Sequence, residues 1–354
     1  MRLLENVSLA ELTTLRLGGV ARFYVSVYSI ADLREAVHFA QLKHLPVWIL
    51  GGGSNTLFTE EGWPGLVIRI AILGTEYKED TKGDARVVAG AGERWDTLVQ
   101  DTVSQGFWGL ENLSYVPGSV GATPVQNVGC YGVSVSDCID WVEVYDCRDD
   151  ALHILSPNSC AFGYRDSIFK HPEGASYIVT RVAYRMKTRR APVLEYKELA
   201  ERFVAKPPES PAEVRDALRE IRGRKFPDLT RVGTAGSFFK NPIVRKSSVK
   251  DIEQWLKCSV PQYPVDDERV KIPLAWLLEV LGWKGKRVGS VGTWDAHALV
   301  LVHYGGGTAS DLLAFIESIA GDVKRRTTIR IEPEVCIARV SEVQSRLEST
   351  SNHA

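Results

Sequence analysis

The sequence has no excess of charge of either sign. Lys and Arg total 43 against 44 for Asp and Glu, so the formal net charge is −1. A balanced charge gives no overall field that attracts nucleic acid or an anionic membrane. We therefore expect no nucleic-acid partner, and any anionic ligand has to be held by local groups.

Long apolar runs are also lacking. The N-terminal MRLLENVSLAELTTLRLGG has no basic region, no uninterrupted apolar stretch and no small-residue cleavage site of a secretory signal. No window approaches the length of a membrane span. The six cysteines show no CxxC spacing, which favours thiols in a reducing compartment over a disulfide framework. These features predict a cytoplasmic protein without a membrane partner.

The sequence also lacks a motif with metal-ligand spacing, because the seven histidines are dispersed and form no cluster with Cys or Asp along the chain. No metal is expected. The composition itself, 44% hydrophobic and 25% charged, is that of an ordinary globular protein. A chain of 354 residues exceeds the size that one core usually serves, so two or three domains are expected.

The apolar pattern mixes helical and strand periods. Leu33, Ala36, Val37 and Ala40 fall at helical spacing, and PVWIL, ending at Leu50, predicts a buried strand. Later segments continue the mixture, with strand patterns in WVEVYD, YIVTRVAYRM and TIRIEPEV and helical patterns at 195–204 and 211–222. The order predicts an α+β fold rather than a regular doubly wound sheet.

A glycine-rich loop follows the first buried strand and contains Gly51, Gly52, Gly53, Ser54 and Asn55. Backbone N–H groups of such a loop can converge on a phosphate, and the two polar side chains can bind a diphosphate or ribityl chain. The loop is neither a P-loop nor a GxGxxG fingerprint. A tight turn without a ligand is the alternative.

The segment YVPGSVGATPVQNVGCYG is long, rich in glycine and poor in charge, and it is expected to be irregular. Gly118, Gly121 and Ala122 would allow the flat face of a cofactor ring to approach the backbone, and Gln126 and Asn127 offer amides for ring heteroatoms. A glycine-rich surface loop is the alternative. It fits poorly, because four valines in the segment predict that something covers it.

Three further motifs contain single candidate residues. Arg165 in FGYRDSIFK can form a structural pair with a buried Asp or bind a substrate carboxylate through two hydrogen bonds. Ser237 in TAGSFFKNP lacks a GxSxG elbow, so hydrolase chemistry is not expected, and a lone serine is normally a turn or cap residue. Glu332 and Glu334 in IEPEV share one face of a predicted strand, where carboxylates are usually solvated.

Taken in order, TTLRLGG, GGGSNTLF, PGSVGATPVQNVGCYG, FGYRDSIFK, GSFFKNP and EPEV resemble the UDP-N-acetylenolpyruvoylglucosamine reductases over about residues 13–337. FGYRDSIF and LEYKEL resemble the longer, type I form. The resemblance implies an α+β FAD-binding fold of the vanillyl-alcohol-oxidase (PCMH-like) type. It places FAD-binding subdomains at 1–71, with 333–345 packed on the first, and at 72–225, and a C-terminal α+β substrate-binding domain at 226–332.

The implied activity is the reduction of enolpyruvyl-UDP-N-acetylglucosamine to UDP-N-acetylmuramate for peptidoglycan synthesis, with noncovalent FAD and with NADPH as co-substrate. The implied catalytic residues are Arg165, Ser237 and Glu334. Residues that match the family's FAD-binding positions are Gly51, Gly52, Gly53, Ser54, Asn55, Pro117, Gly118, Gly121, Ala122, Gln126, Asn127, Gly129, Tyr131 and Gly132. Substrate contacts are expected from Tyr164, Tyr196, Lys225 and Asn241. The family often has Asn where this chain has Thr234.

The chemistry explains these residue types. An enolpyruvyl ether accepts hydride at its methylene only if the adjacent carboxylate absorbs the developing charge. Arg165 can supply fixed positive charge there, and Glu334 can stabilise the enolic form if it carries a proton in a desolvated site. Ser237 is the candidate donor of the proton that the neighbouring carbon then needs.

Two other functions remain open at this point. An FAD-dependent oxidase of the same fold would pass electrons to oxygen, and such oxidases commonly attach flavin through His or Cys. A non-enzymatic nucleotide-sugar binding protein would contain no flavin. The sequence leaves open the oligomeric state, the preference for NADPH over NADH, and the position of the coenzyme.

Overall fold

The computed structural model describes residues 1–79 and 84–339 and divides them into two compact units. Unit 1 comprises Met1–Val7, Ala21–Gly53 and Pro64–Gly223. Unit 2 comprises Ser8–Val20, Ser54–Trp63 and, within the described residues, 224–339. The chain therefore passes between the units several times, and each has its own buried apolar core.

The helices of the described residues are distributed along the whole chain. They are α1 (Ile30–Leu42), α2 (Trp95–Ser104), α3 (Ala122–Gln126), α4 (Lys197–Arg202), α5 (Pro211–Lys225), α6 (Lys246–Leu256), α7 (Leu274–Val280) and α8 (Ala309–Thr327). Local sequence accounts for where they begin. At α1 the Ser29 side chain accepts a hydrogen bond from the N–H of Asp32, and at α8 Thr308 and Asp311 form a capping box.

The strands are mostly short. In the first half of the chain they are β1 (Leu4–Ser8), β2 (Val20–Val27), β3 (Val47–Leu50), β4 (Thr56–Phe58), β5 (Trp63–Ile70), β6 (Thr75–Glu79), β7 (Ala85–Gly90), β8 (Gly129–Cys130), β9 (Val133–Ser134), β10 (Ile139–Asp146), β11 (Ala151–Leu155) and β12 (Tyr177–Met186). In the second half they are β13 (Gly233–Ser237), β14 (Ile243–Arg245), β15 (Tyr263–Pro264), β16 (Arg269–Lys271), β17 (Arg287–Val288), β18 (Val291–Thr293), β19 (Val300–His303) and β20 (Cys336–Ala338).

Unit 1 is built on two large sheets and also contains the short antiparallel pair β8-β9. One has the strand order β1-β2-β5-β3, with β3 and β5 parallel, and the other is antiparallel with the order β11-β10-β12-β7-β6. Leu33, Ala36 and Val37 of α1 are buried in the same core as Val87 and Ala89 of β7. The helical spacing of these α1 side chains therefore reflects one buried face.

Unit 2 contains the antiparallel sheet β13-β19-β18-β17, the small sheet β14-β16-β15 and the parallel pair β20-β4. The helix α8 buries Leu312, Phe315, Ile316 and Ile319 in the core of this unit. In the parallel pair, Cys336 lies opposite Thr56, so chain segments distant in sequence meet there.

The expected α+β class is confirmed, because helices are mixed irregularly with mainly antiparallel sheets. Three local expectations were wrong. PVWIL forms β3, but the strand is not a buried one, because Val47 and Ile49 are exposed and Leu50 alone is buried. The segment expected to be irregular contains α3, and TIRIEPEV forms no strand. Pro333 cannot donate to a ladder, and the segment instead pairs irregularly with 238–240, with a single bridge between Phe239 and Pro333.

The described part of the chain has no helix that is both long and apolar enough to cross a membrane. The division into domains at 1–71, 72–225 and 226–332 stays a prediction. Of the C-terminal segment 333–345 that was expected to pack on the first of them, residues 340–345 lie outside the described residues.

Candidate functional site

In unit 1 the two glycine-rich motifs lie against each other. The strand β3 ends at Leu50, and a Cβ added to Gly52 would lie 2.9 Å from the Cα of Gly118. A Cβ on Gly51 would meet the hydroxyl of Ser119. Only glycine permits this approach of backbone to backbone. The structure therefore brings the candidate phosphate loop next to the candidate ring-binding segment.

That ring-binding segment is fixed by main-chain hydrogen bonds. The N–H of Trp95, the first residue of α2, donates to the carbonyl oxygen of Gly118 (3.1 Å). The N–H of Gly121 donates to the carbonyl oxygen of Ala91 (2.9 Å), and a Cβ on Gly121 would lie 2.6 Å from the Cβ of Ala91. The small residues are thus required by packing within the protein as well as by any ligand.

An ion pair that the sequence analysis did not identify holds the start of the segment. Tyr115 has a left-handed backbone, with φ +61°, and its N–H donates to a carboxylate oxygen of Asp96 (2.5 Å). The Arg215 guanidinium binds the same carboxylate through two hydrogen bonds (2.7 and 2.9 Å) and lies 4.2 Å from the centroid of the Tyr115 ring. No spacing rule links two residues so far apart in sequence.

Gln126 and Asn127 lie at the C-terminal end of α3 and differ in how their amides are used. Gln126 Nε2 is buried and has no hydrogen-bond partner among the described residues. A buried donor in this position fits an acceptor on a bound ligand. Asn127 uses both of its amide groups within the protein: Nδ2 donates to the carbonyl oxygen of Gly163 (2.8 Å), and Oδ1 accepts from the N–H of Ser136 (3.2 Å).

Arg165 lies within a tight turn that is bridged between Gly163 and Asp166. The guanidinium is half-buried, donates to the carbonyl oxygen of Gly129, and lies 5.7 Å from the ring centroid of the exposed Tyr164. These contacts orient the planar guanidinium, whose paired donors suit the binding of a carboxylate.

Tyr131 and Tyr196 meet edge to face, with ring centroids 4.8 Å apart. Asn112 fixes this region, because its Nδ2 donates to the carbonyl oxygens of Tyr131 (2.8 Å) and Val193 (2.9 Å). Burial raises the pKa of Tyr131, with the charge of Arg222 opposing the shift, so the phenol stays protonated. Asn112 was not among the predicted residues, although Glu111 and Asn112 are two polar residues between Leu110 and Leu113 and are a usable signal.

In unit 2, Ser237 and Glu334 are held close along the backbone. Ser237 ends β13, and the N–H of Glu334 donates to the carbonyl oxygen of Phe238 (2.7 Å), the residue after it. Asn55 Nδ2 donates to the carbonyl oxygen of Glu334 (3.2 Å). Ser237 and Glu334 are both half-buried, whereas Glu332 is exposed. Of the two carboxylates in IEPEV, Glu334 alone is therefore placed with other candidate residues.

Thr234 shapes the turn that leads to Ser237. Its hydroxyl donates to the carbonyl oxygen of Leu301 (2.6 Å) and accepts from the N–H of Gly236 (3.1 Å), whose φ is +74°. The turn interrupts the pairing of β13 with β19. A threonine in place of the usual asparagine therefore still supplies a local acceptor.

The candidate substrate residues Lys225 and Asn241 are both in unit 2. Next to Lys225, the ring of Phe226 stacks on His297 with centroids 5.7 Å apart. Burial, and secondly the charge of Lys225, lower the pKa of His297 to about 4, so this imidazole is neutral at ordinary pH. Asn241 Oδ1 accepts from the N–H of Leu274, at the start of α7.

The structure assigns each predicted site residue to one unit. Unit 1 contains Gly51, Gly52, Gly53, Pro117, Gly118, Gly121, Ala122, Gln126, Asn127, Gly129, Tyr131, Gly132, Tyr164, Arg165 and Tyr196. Unit 2 contains Ser54, Asn55, Lys225, Ser237, Asn241 and Glu334.

One cluster with metal-ligand atoms exists in the described chain, although no spacing in the sequence indicated it. The hairpin of β10 and β11 brings Asp146, Asp149 and His153 within 4.8 Å of one another. Arg148 already binds Asp146 through its Nε and Nη2 atoms, and His153 hydrogen-bonds to Asp149. These internal pairs satisfy the carboxylates.

Comparison with family models assigns most of the chain to two known domains. Residues 21–155 match the FAD binding domain, and residues 228–338 match the C-terminal domain of UDP-N-acetylenolpyruvoylglucosamine reductase. The predicted FAD-binding fold is thereby confirmed.

Curated relatives agree with these models over nearly the whole chain. The UDP-N-acetylenolpyruvoylglucosamine reductase of Pseudomonas aeruginosa is 40% identical over 94% of this chain and 98% of the relative. That of Bdellovibrio bacteriovorus is 38% identical over 94% and 99%. The crystal structure of the reductase from Thermus caldophilus matches with a TM-score of 0.66 and 29% identity, and covers 96% of this chain and 100% of that one.

Proposed function

Since the chain belongs to the UDP-N-acetylenolpyruvoylglucosamine reductase family, we propose that it reduces enolpyruvyl-UDP-N-acetylglucosamine to UDP-N-acetylmuramate with hydride from NADPH. It is an FAD-containing oxidoreductase of peptidoglycan synthesis. When bound, FAD supplies hydride transfer between NADPH and the nucleotide sugar. The observation that carries the proposal is the match of both an FAD-binding and a reductase-specific domain on one chain.

The residues of unit 1 fit this cofactor. The backbone at Gly51 and Gly52 has no side chains that would hinder close approach to a diphosphate, and the buried Nε2 of Gln126 offers a donor to a ring heteroatom. We assign the loop 51–55 to the diphosphate, and the backbone of the segment 117–132 together with Gln126 Nε2 to the flavin ring. The binding is noncovalent in this proposal.

Gly52→Val tests the assignment of the loop. Its Cβ would lie 2.9 Å from the Cα of Gly118, so the ring-binding segment has to move. We expect folded but colourless or weakly coloured protein, measured as flavin absorbance per mole of protein. The matched control is Gly321→Val in α8, where the added Cβ meets no described atom within 4 Å and flavin content should be normal. Full flavin occupancy in folded Gly52→Val would refute the assignment.

We assign Arg165 to the substrate carboxylate. The main-chain carbonyl of Gly129 accepts a hydrogen bond from its guanidinium and orients it. A fixed cation stabilises the negative charge that develops on the carboxylate as the methylene gains hydride. The neighbouring Tyr164, which is exposed, is assigned to the same substrate.

Ser237 and Glu334 are assigned to the second half of the chemistry. Ser237 donates a proton to the carbon next to the carboxylate, and Glu334 stabilises the enolic form. The hydrogen bond between the backbones of Phe238 and Glu334 supports a shared role, because it fixes the two residues relative to each other.

Tyr196, Lys225 and Asn241 are assigned to the uridine-diphosphate part of the substrate. A lysine supplies positive charge for a diphosphate, and a tyrosine and an amide supply hydrogen bonds. The three-domain division, with a substrate-binding domain at 226–332, belongs to the same proposal. We also propose a cytoplasmic location, which the six scattered cysteines support because none forms a disulfide.

Oxygen dependence separates this function from that of an oxidase with the same fold. NADPH consumption by the purified holoprotein should require the enolpyruvyl substrate and should proceed at an unchanged rate without oxygen. Acid denaturation should release all of the flavin. If NADPH consumption stops without oxygen and its rate does not depend on the nucleotide sugar, the protein is an oxidase.

A further inference from the structure

The backbone conformation of the turn that contains Arg165 needs support from the surrounding residues. Arg165 has φ +55°, in the left-handed region that L-residues other than glycine seldom adopt. Two main-chain hydrogen bonds close the turn: Gly163 N–H to the Asp166 carbonyl (2.9 Å) and the reverse (3.2 Å). A non-glycine residue keeps such a conformation only where its surroundings fix it.

Asn127 provides part of that surrounding structure. It is 5% exposed and caps α3 at its C-terminal end with φ +43°. Its Nδ2 donates to the carbonyl oxygen of Gly163 (2.8 Å), while its Oδ1 accepts from the N–H of Ser136 (3.2 Å). One amide thus ties the Arg165 turn to two other segments.

The same short segment also contacts the other end of Arg165. The guanidinium donates to the main-chain carbonyl of Gly129 and, at 3.5 Å, to that of Asn127. A Cβ on Gly129 would lie 2.8 Å from Nη1, so the guanidinium rests directly on this backbone. Lys170 adds a hydrogen bond from its Nζ to the Arg165 carbonyl oxygen (2.8 Å).

We propose that Asn127 is a positioning residue that sets the orientation of Arg165 toward the substrate carboxylate. The inference rests on the proposed role of Arg165. It differs from the expectation that the Asn127 amide contacts the flavin ring, because both polar groups of that amide are engaged within the protein. Asn127 fixes the turn through its side chain and the guanidinium through its backbone.

The test uses the holoenzyme and two substitutions. Asn127→Gly removes the amide and keeps a residue that tolerates positive φ, and Asn127→Asp places a carboxylate oxygen against the Gly163 carbonyl. Both should keep their FAD content and their rate of flavin reduction by NADPH. The Kd of the enolpyruvyl substrate, titrated through the flavin absorption spectrum, should rise about tenfold or more, and flavin reoxidation by that substrate should slow. If Asn127→Asp fails to fold, Asn127→Gly decides.

Thr102→Val is the matched control for lost buried polarity, because Thr102 is fully buried in α2 and its hydroxyl donates to the Val99 carbonyl within that helix. It should lower the melting temperature without changing the substrate Kd. Loss of FAD from Asn127→Gly, or an unchanged substrate Kd, would overturn the proposal.

A double-mutant cycle separates this inference from the role of Arg165 itself. In an Arg165→Lys background, Asn127→Gly should add little further loss, because the group being positioned is already gone. If the fold-changes of the two single substitutions multiply in the double variant, Asn127 does not act through Arg165. If Arg165→Lys alone leaves substrate binding and reoxidation normal, the proposed function of Arg165 fails. If Arg165→Lys weakens substrate binding and slows reoxidation but Asn127→Gly changes neither, the positioning role fails.

Discussion

Ser237→Ala is expected to reduce its flavin with NADPH at a near-normal rate and to reoxidise it with the enolpyruvyl substrate about 10²- to 10⁴-fold more slowly. The asymmetry follows from the proposed role, because completing the product needs a proton on one defined carbon, whereas flavin reduction needs none from Ser237. Exclusion of bulk water from a closed site would enlarge the loss. Anaerobic stopped-flow absorbance measures the two half-reactions separately.

Two further variants provide a partial rescue and a matched control for Ser237→Ala. Ser237→Cys supplies a more acidic proton from a similar position and should recover part of the loss. Ser318→Ala removes a hydroxyl that bonds to the Ala314 carbonyl within α8 and should leave both half-reactions normal. Equal slowing of both halves in Ser237→Ala would mean that the residue only shapes the flavin pocket, and a normal second half would remove it from the mechanism.

Arg165→Lys should slow the reaction with the enolpyruvyl substrate by about 10- to 100-fold while the melting temperature changes little. Lysine keeps the charge but loses the planar pair of donors that binds a carboxylate bidentately. Hydrogen bonds to charged groups contribute about 1.5–3 kcal/mol, which corresponds to that range of rates. Stopped-flow kinetics and thermal denaturation of the same samples test the prediction.

The control for this change is Arg148→Lys. Arg148 also binds a carboxylate through two nitrogens, that of Asp146, but has no place in the proposed site. It should leave turnover normal. A large fall in melting temperature with normal turnover in Arg165→Lys would show that Arg165 is a structural residue.

Local pattern predicted the elements and motifs well where a short stretch of sequence determines them. The helical spacing of Leu33, Ala36, Val37 and Ala40 marks the buried face of α1, and PVWIL marks β3. The glycines after β3 were identified as a loop for close approach, and Gly52 does lie against another backbone. That its neighbour is Gly118 could not be predicted, because no spacing rule pairs the two loops.

Most of the structural features that could not be predicted from the sequence depend on hydrogen bonds between residues distant in the chain. Asn112, Asp96 and Arg215 act on segments far from them in the chain, and only the fold brings them there. TIRIEPEV reads as a strand by its alternation, but Pro333 has no N–H and Glu334 is bonded to Phe238 instead. For Asn127 the sequence suggested an amide that could bind a cofactor ring, whereas in the structure its Nδ2 donates to the Gly163 carbonyl.

We propose that one bound FAD accepts hydride from NADPH and passes it to the enolpyruvyl sugar. The most direct measurement is the anaerobic absorbance spectrum of the purified holoprotein, first with NADPH and then with enolpyruvyl-UDP-N-acetylglucosamine. We predict that the oxidised flavin spectrum is lost on the first addition and returns on the second, with UDP-N-acetylmuramate as the product. A reduced spectrum that persists with the sugar and returns only on admission of oxygen would contradict the account.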